Sequence, residues 1–291
     1  MQSFGPIAIL GPGFMGGSLA LDLKRSQQVG EVRLWARREN TLEAAQALQV
    51  ADVVSGDFQK VVEGATLVVL ATPLGALSDL AHRLLQATQP QPPEVVTDIC
   101  SVKEPVQRVL GPLFVKSPVS FIGSHPMCGS EKQGMAASIS GLYQGATCVL
   151  TPSEGERAEA LGLLTSFWET VGCQVLKSEA AEHDEAAARI SHLPHIVASA
   201  LVESSLAEAP ELARILAASG FRDTTRVAMG PAGMWAEILT ENRAATVEAL
   251  DGLVQRLGEA REWIAGDRRA ELESFLEAAR GRRAALFSQP S

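Results

Sequence analysis

Residues 6–26 read PIAILGPGFMGGSLALDLKRS, and this stretch decides the fold. An apolar run, PIAIL (6–10), enters a glycine turn, GPGFMG (11–16), and the turn opens a segment of helical periodicity. GxGxxG by itself is a weak signal; between a strand and a helix it is the signature of a dinucleotide-binding βαβ unit. Gly11 allows the tight turn, Gly13 lets the backbone approach a pyrophosphate, and Gly16 lets helix and strand pack closely. The helix N-terminus then offers unpaired N–H groups and its positive dipole end to the phosphates. Gly11, Gly13, Phe14, Met15 and Gly16 are therefore expected to hold a dinucleotide, together with Thr72 and Pro73 at the end of a later strand. The plain alternative is a turn with no ligand.

Working outward, EVRLW (31–35), LVVLATP (67–73), EVVTDI (94–99), VSFIGSHP (119–126) and ATCVLTP (146–152) read as further strands. Helical segments such as TLEAAQAL and ALSDLAHRLLQA separate the earlier ones. This alternation predicts a doubly wound parallel sheet. From Glu179 to Leu286 the chain is rich in Ala, Leu, Glu and Arg, has helical periodicity, and is punctuated by Pro194, Pro210 and Pro231. The expected architecture is an α/β, Rossmann-type dinucleotide-binding domain over residues 1–178 and an all-α domain over residues 179–291. Alanine-rich stripes on the acidic helices predict that the second domain buries a face against another copy, giving a homodimer.

Composition narrows the partners. The net charge is −9, with 11 Lys/Arg against 12 Asp/Glu in residues 1–150 and 14 against 22 in residues 151–291. No basic run is present, which argues against nucleic acid and anionic membranes. No apolar run approaches the ~18 residues of a membrane span. The N-terminus has no charged leader region or cleavage site, so a cytoplasmic location is expected. Cys100, Cys128, Cys148 and Cys173 show no zinc spacing and read as reduced thiols.

The second strand ends LWARREN (34–40). NAD-binding chains usually place an acid there, about 20 residues past the fingerprint, to bind the ribose hydroxyls. Here Ala36 takes that place and Arg37 and Arg38 follow. Guanidinium groups pair with a 2′-phosphate, whereas an acid repels it, so NADP is expected over NAD. The alternative is that both arginines are solvated surface charges.

Four further stretches carry chemistry: TDICSVK (97–103), FIGSHPMCGSEKQGM (121–135), SHLPH (191–195) and SGFRDTTR (219–226). His125 follows an apolar run and opens a glycine-flanked loop, a suitable place for a base facing a nicotinamide ring. With the fingerprint, these blocks resemble the signature of the prephenate/arogenate dehydrogenase (TyrA-type) family, in the same order and across both halves of the chain. The resemblance implies a small-molecule cyclohexadienol substrate and its oxidative decarboxylation. Hydride leaves C4, the C4 hydroxyl loses its proton, CO2 departs and the ring becomes aromatic.

Under that resemblance His125 is the base, since imidazole titrates near neutral pH, and Ser101 hydrogen-bonds the same hydroxyl. Arg226 is expected to hold the ring carboxylate through its planar fork. Arg222, one helical turn earlier, is open between a second anion contact and pairing with a surface carboxylate. Lys103 is expected to brace the loop with Asp98. Glu131 matches a family acid near the site mouth, or is a solvated loop charge. His195 is implied to line the substrate pocket and to meet tyrosine as a feedback inhibitor; His192 is open between that pocket and helix packing. Pro194 between them is expected to disturb the helix. No carboxylate cluster completes a metal site around the histidine pair.

Two rival readings are weaker. β-Hydroxyacid-type dehydrogenases use a lysine from the second domain, and this chain has none after Lys177. A non-catalytic NADP-sensing module has no need for His125, Ser101 and Arg226 together. Prephenate and arogenate differ at one side-chain group, and sequence alone leaves that choice open.

Overall fold

The computed structural model describes residues 4–88, 90–130, 132–208 and 210–287. Strands β1 (Ile7–Leu10), β2 (Val32–Trp35), β3 (Val53–Ser55), β4 (Leu67–Leu70), β5 (Val95–Asp98) and β6 (Ser120–Phe121) form a parallel sheet in the order β3-β2-β1-β4-β5-β6. This is the Rossmann order, and its switch point falls between β1 and β4, where ligands bind outside the carboxyl ends. Helices α1 (Phe14–Ser26), α2 (Glu39–Ala47), α3 (Phe58–Val62), α4 (Leu77–Ala87) and α5 (Glu104–Phe114) make the crossovers.

Strand side chains alternate between two cores, as a pleat with both faces covered requires. Ile7, Ile9, Leu67, Val69 and Val95 face α1. Ala8, Leu10, Val68, Leu70 and Val96 face α4 and α5. A sixth helix, α6 (Ala158–Thr170), adds Leu164, Phe167 and Trp168 to the first of these cores.

The run 119–126 is not the single parallel strand expected from sequence. It breaks at Ile122 into β6 and a second strand, β7 (Gly123–Pro126). β7 pairs antiparallel with β8 (Thr147–Thr151), and β8 pairs parallel with β9 (Gln174–Lys177), making a separate three-stranded sheet. Side chains at the end of β5 satisfy the backbone where the ladder stops. Thr97 Oγ1 donates to the Ile122 carbonyl at 2.7 Å, and the Ser124 N–H donates to Asp98 Oδ1 at 3.3 Å. A methyl group on Gly123 would sit 2.6 Å from Thr151 Oγ1, so the crossing strands need glycine there. The apolar start of the run and its continuation GSHP are buried alike in the two sheets, so burial pattern carries no mark of the switch.

Beyond β9 the described chain is helical: α7 (Ala180–Ala187), a π-turn (Ala188–His192), α8 (Leu193–Leu206), α9 (Glu211–Ile215), α10 (Ser219–Thr225), a 3-10 turn (Arg226–Met229), α11 (Ala232–Glu241), α12 (Arg243–Ala265) and α13 (Arg269–Phe287). The π-turn ends two residues before Pro194, which sits in the first turn of α8 where its missing N–H costs nothing. The expected disturbance thus takes the form of a widened turn that resets the helix face. The chain divides into two compact units between Asn242 and Arg243. Helices α7–α11 belong with the Rossmann part because Asp184 is bonded into it: its Oδ1 and Oδ2 accept the Lys103 and Glu104 N–H groups at 2.8 and 2.9 Å. In the second unit α12 and α13 form a hairpin turned at Gly266–Asp267, with the Trp263 and Phe275 rings 5.7 Å apart.

Candidate active site

A cavity of about 1100 Å³ opens at the carboxyl ends of β1, β4 and β5. Its walls are the glycine turn (Gly13–Gly16), the ends of β4 (Ala71–Leu74) and β5 (Ile99–Val102), the loop from His125, the π-turn (Ile190–His192), and residues Arg226–Ile238 in part. Phe14, Met15, Thr72 and Pro73 all line it, as the fingerprint reading expects.

The turn is built to accept a phosphate ligand. Gly11 has φ +75°, and a Cβ there would lie 2.0 Å from Thr72 Cγ2. A Cβ on Gly16 would lie 2.9 Å from Ala71 Cβ, which is the close helix–strand packing the third glycine permits. A Cβ on Gly13 would meet nothing within 4 Å, so the space over the turn is open. The first turn of α1 has no acidic residue and no side-chain cap, leaving its N–H groups and positive dipole end for an anion. Thr72 Oγ1 is buried without a hydrogen-bond partner, a polar atom that a ligand in the cavity would satisfy. These residues fit a dinucleotide.

Arg37 and Arg38 are exposed just past β2 and lie outside the cavity lining. Neither has an ion pair among the described residues, and Ala36 beside them is buried. No acid occupies the end of β2.

His125 stands in the cavity wall, 9% exposed, at the start of the loop that leaves β7. Its Nδ1 lies 2.8 Å from His183 Nε2, and His183 Nδ1 lies 2.7 Å from Asp184 Oδ1. Burial holds the His125 pKa well below 6.5, and positive charge on His183, Lys103 or His192 pushes it the same way. Ser101 lines the same cavity, half-buried in the turn after β5. Asp98 shapes that turn, since its Oδ2 accepts the Cys100 N–H at 2.8 Å. Lys103 braces it as expected. Its ammonium pairs with Asp98 Oδ2 in full burial and donates to the Ser124 carbonyl at 2.7 Å, next to His125. Removing either partner would leave a buried charge unpaired, which is far costlier than the pair's own net contribution.

Arg226, in the 3-10 turn after α10, lines the cavity and has no ion pair among the described residues. Arg222 is not brought to the cavity. It is exposed on α10 and lies 3.6 Å from Asp223, which matches the surface-pairing alternative. Glu131 lies outside the described residues. Of the two helical histidines, His192 takes the pocket side of its two open readings, and His195 is not in the cavity lining. His192 lines the cavity, whereas His195 sits behind it, stacked on Trp235 with ring centroids 3.7 Å apart. The π-turn is the cause, because it rotates residue 192 relative to the α8 face. His192 Nδ1 lies 3.2 Å from Asn242 Nδ2, and burial lowers its pKa to about 4.

Sequence reading missed several cavity residues. Lys132 adds a second cation to the wall, Glu237 an acid and Trp235 an aromatic face. His183 and Asp184 sit behind His125, and the sequence assigns them no role. Their one signal was adjacency: a His-Asp pair in a short helix of alanines and glutamates.

The glycine turn, the switch-point cavity and a buried histidine facing it define a nucleotide-dependent oxidoreductase architecture with an attached helical part. The chain belongs to the prephenate dehydrogenase family: residues 19–177 match its nucleotide-binding domain and residues 179–278 its dimerization domain. It is 32% identical to cyclohexadienyl dehydrogenase of Zymomonas mobilis over 97% of this chain and 96% of that one. It is similar in structure to prephenate dehydrogenase from Aquifex aeolicus in complex with hydroxyphenyl propionate and NAD+ (TM-score 0.87, 29% identity, 98% and 99% of the two chains). Arogenate dehydrogenase of Synechocystis matches with TM-score 0.79 and 32% identity, over 97% and 99%.

Proposed function

We propose that this chain oxidatively decarboxylates prephenate to 4-hydroxyphenylpyruvate, with hydride passing to NADP. The observation that carries the reading is one cavity holding the open glycine turn, the buried His125, Ser101 after β5, and Arg226, which has no ion pair among the described residues. A nicotinamide dinucleotide, held by Gly11–Gly16, Thr72 and Pro73, supplies the hydride acceptor. His125 and Ser101 hold the C4 hydroxyl, and His125 Nε2 takes its proton as hydride leaves C4. The ring carboxylate then departs as CO2, its bonding pair completes the aromatic ring, and His125 returns the proton to the oxygen. Arg226 and Lys132 provide two positive charges for a substrate with two carboxylates.

Support for NADP is the absence of an acid after β2 and the two exposed arginines there. Arogenate is the second reading, favoured by the half-buried Glu237 in the wall, which suits an ammonium group better than a keto group. Parallel kinetics with both substrates and both nucleotides, followed at the reduced-nicotinamide absorbance, tests all of this. The expected order is prephenate over arogenate and NADP over NAD in kcat/KM. A clear NAD preference refutes the Arg37/Arg38 reading, and turnover of neither substrate refutes the reaction. Tyrosine added to the same assays is expected to compete with substrate if it binds this cavity.

We read the domain boundary near residue 178, where the two family matches meet, although α7–α11 cluster with the Rossmann strands, and the helical part is read as the dimer contact. Val247, Val254, Leu257 and Ile264 on α12 stay exposed at spacings that return to one helix face, an apolar stripe that a partner would cover. Sedimentation at micromolar protein is expected to give twice the 30.8 kDa chain mass; a monomer refutes it. No described helix is long and apolar enough to cross a membrane, and a cytoplasmic setting suits four free thiols.

A further inference from the structure

We propose that His183 and Asp184 form a relay behind His125, fixing its tautomer and sharing the proton it takes up. The inference rests on the reading of His125 as the base, and it makes His183 a positioning residue rather than a catalytic one.

The geometry runs in one direction. Asp184 is 1% exposed, and three N–H groups converge on its carboxylate: the backbone of Lys103 and Glu104, and His183 Nδ1. A carboxylate only accepts, so the hydrogen of a neutral His183 lies on Nδ1 and its Nε2 carries a lone pair. That lone pair meets His125 Nδ1 at 2.8 Å, so the hydrogen in this contact comes from His125 Nδ1. His125 Nε2 is then the lone-pair nitrogen, which is the form a base needs. The tautomer is thus set two residues back, by a carboxylate clamped at the start of α5. His183 itself is 4% exposed, and its ring meets that of His125 edge-on at 71°, so the contact is held by packing as well as by the hydrogen bond.

The same chain handles the charge. When His125 Nε2 accepts a proton, the Nδ1 hydrogen can pass to His183 Nε2, which moves the positive charge next to Asp184. The pair gains one proton and one charge from the substrate hydroxyl: that proton enters at His125 Nε2, and another shifts across a single hydrogen bond. Two adjacent imidazolium ions would repel strongly in so dry a place, so the pair takes up one extra proton beyond its two N–H hydrogens. The charged groups around His125 are His183 and Asp184 on α7, Lys103 with its partner Asp98 at the end of β5, and His192 on the π-turn. Lys103 is neutralised by Asp98, which leaves Asp184 as the carboxylate that reaches His125, through His183.

The test has two parts. Nitrogen-15 NMR of the wild-type chain, with histidines labelled, reads the tautomer without any turnover. His125 is expected as the Nδ1–H form; the Nε2–H form overturns the relay. The second part is the pH profile of kcat/KM for His183→Phe and His183→Gln. The Phe variant removes the acceptor for Nδ1–H, so His125 becomes a weaker base. Turnover is expected to fall at least about tenfold, and the acid limb to move down by about half a pH unit or more, with nucleotide affinity unchanged. Glutamine, whose amide oxygen can accept the same hydrogen, is expected to restore part of both. Lost turnover with an unmoved limb marks a packing role and overturns the proposal. A limb that moves up overturns it too, because His183 would then be a repelling cation. If the wild-type chain turns over neither cyclohexadienol, the reaction reading fails, and the NMR result alone decides the relay.

Discussion

His125→Asn is expected to lower kcat by about 10²- to 10⁴-fold, the range for a general base, while nucleotide binding stays intact. Asparagine keeps a polar group toward His183 but has no nitrogen that titrates near neutrality. The pH dependence gives a second signature. Burial holds the His125 pKa well below 6.5. A base works in its neutral form, so wild-type kcat/KM rises with pH along a limb below 6.5 and is flat through neutrality. In the variant that limb vanishes, because the group that titrates is gone. Stopped-assay rates between pH 4.5 and 8 (about two units either side of the usual imidazole value) measure both effects, and fluorescence titration measures nucleotide affinity. Near-normal turnover in the variant would remove His125 from the mechanism.

Arg226→Ala is expected to raise KM for prephenate about 100-fold with a smaller change in kcat. A charge-assisted, two-pronged contact contributes about 3 kcal/mol, and about 1.4 kcal/mol is a factor of ten. A contact made equally in the ground and transition states appears in KM, whereas one made only in the transition state appears in kcat. Arg226 is already exposed and unpaired among the described residues, so its loss leaves no buried carboxylate stranded and the fold should survive. Arg226→Lys keeps the charge without the fork and is expected to recover only part of the affinity. Arg222→Ala serves as the contrast. Its guanidinium lies against Asp223 on the surface, and KM measured beside Arg226→Ala separates a site arginine from a surface one. An unchanged KM in Arg226→Ala would sink the assignment.

What could be read from the residues depended on how local the signal was. The glycine turn was legible because its three spacings serve three contacts within one βαβ unit, and the structure places each where the spacing requires. The Lys103–Asp98 brace was legible because five residues separate the partners across one turn. The break at Ile122 was not, because an apolar run suits either sheet. Nor was the placing of His192 in the cavity wall with His195 stacked on Trp235. Regular helical spacing puts both on one face, and the π-turn adds a residue to the turn that sets that face.

Strand period, helix period and glycine spacing are all read within a few residues, so the Rossmann half and the helical half were legible in the chain, while the proposal of His125 as the base came from the family resemblance. What surrounds His125 is set by tertiary packing alone. His125 and His183 are 58 residues apart and meet at 2.8 Å because α7 docks on the start of α5, where Asp184 takes two backbone N–H groups. That meeting depends on a crossing of segments distant in the chain, and no local pattern encodes such a crossing.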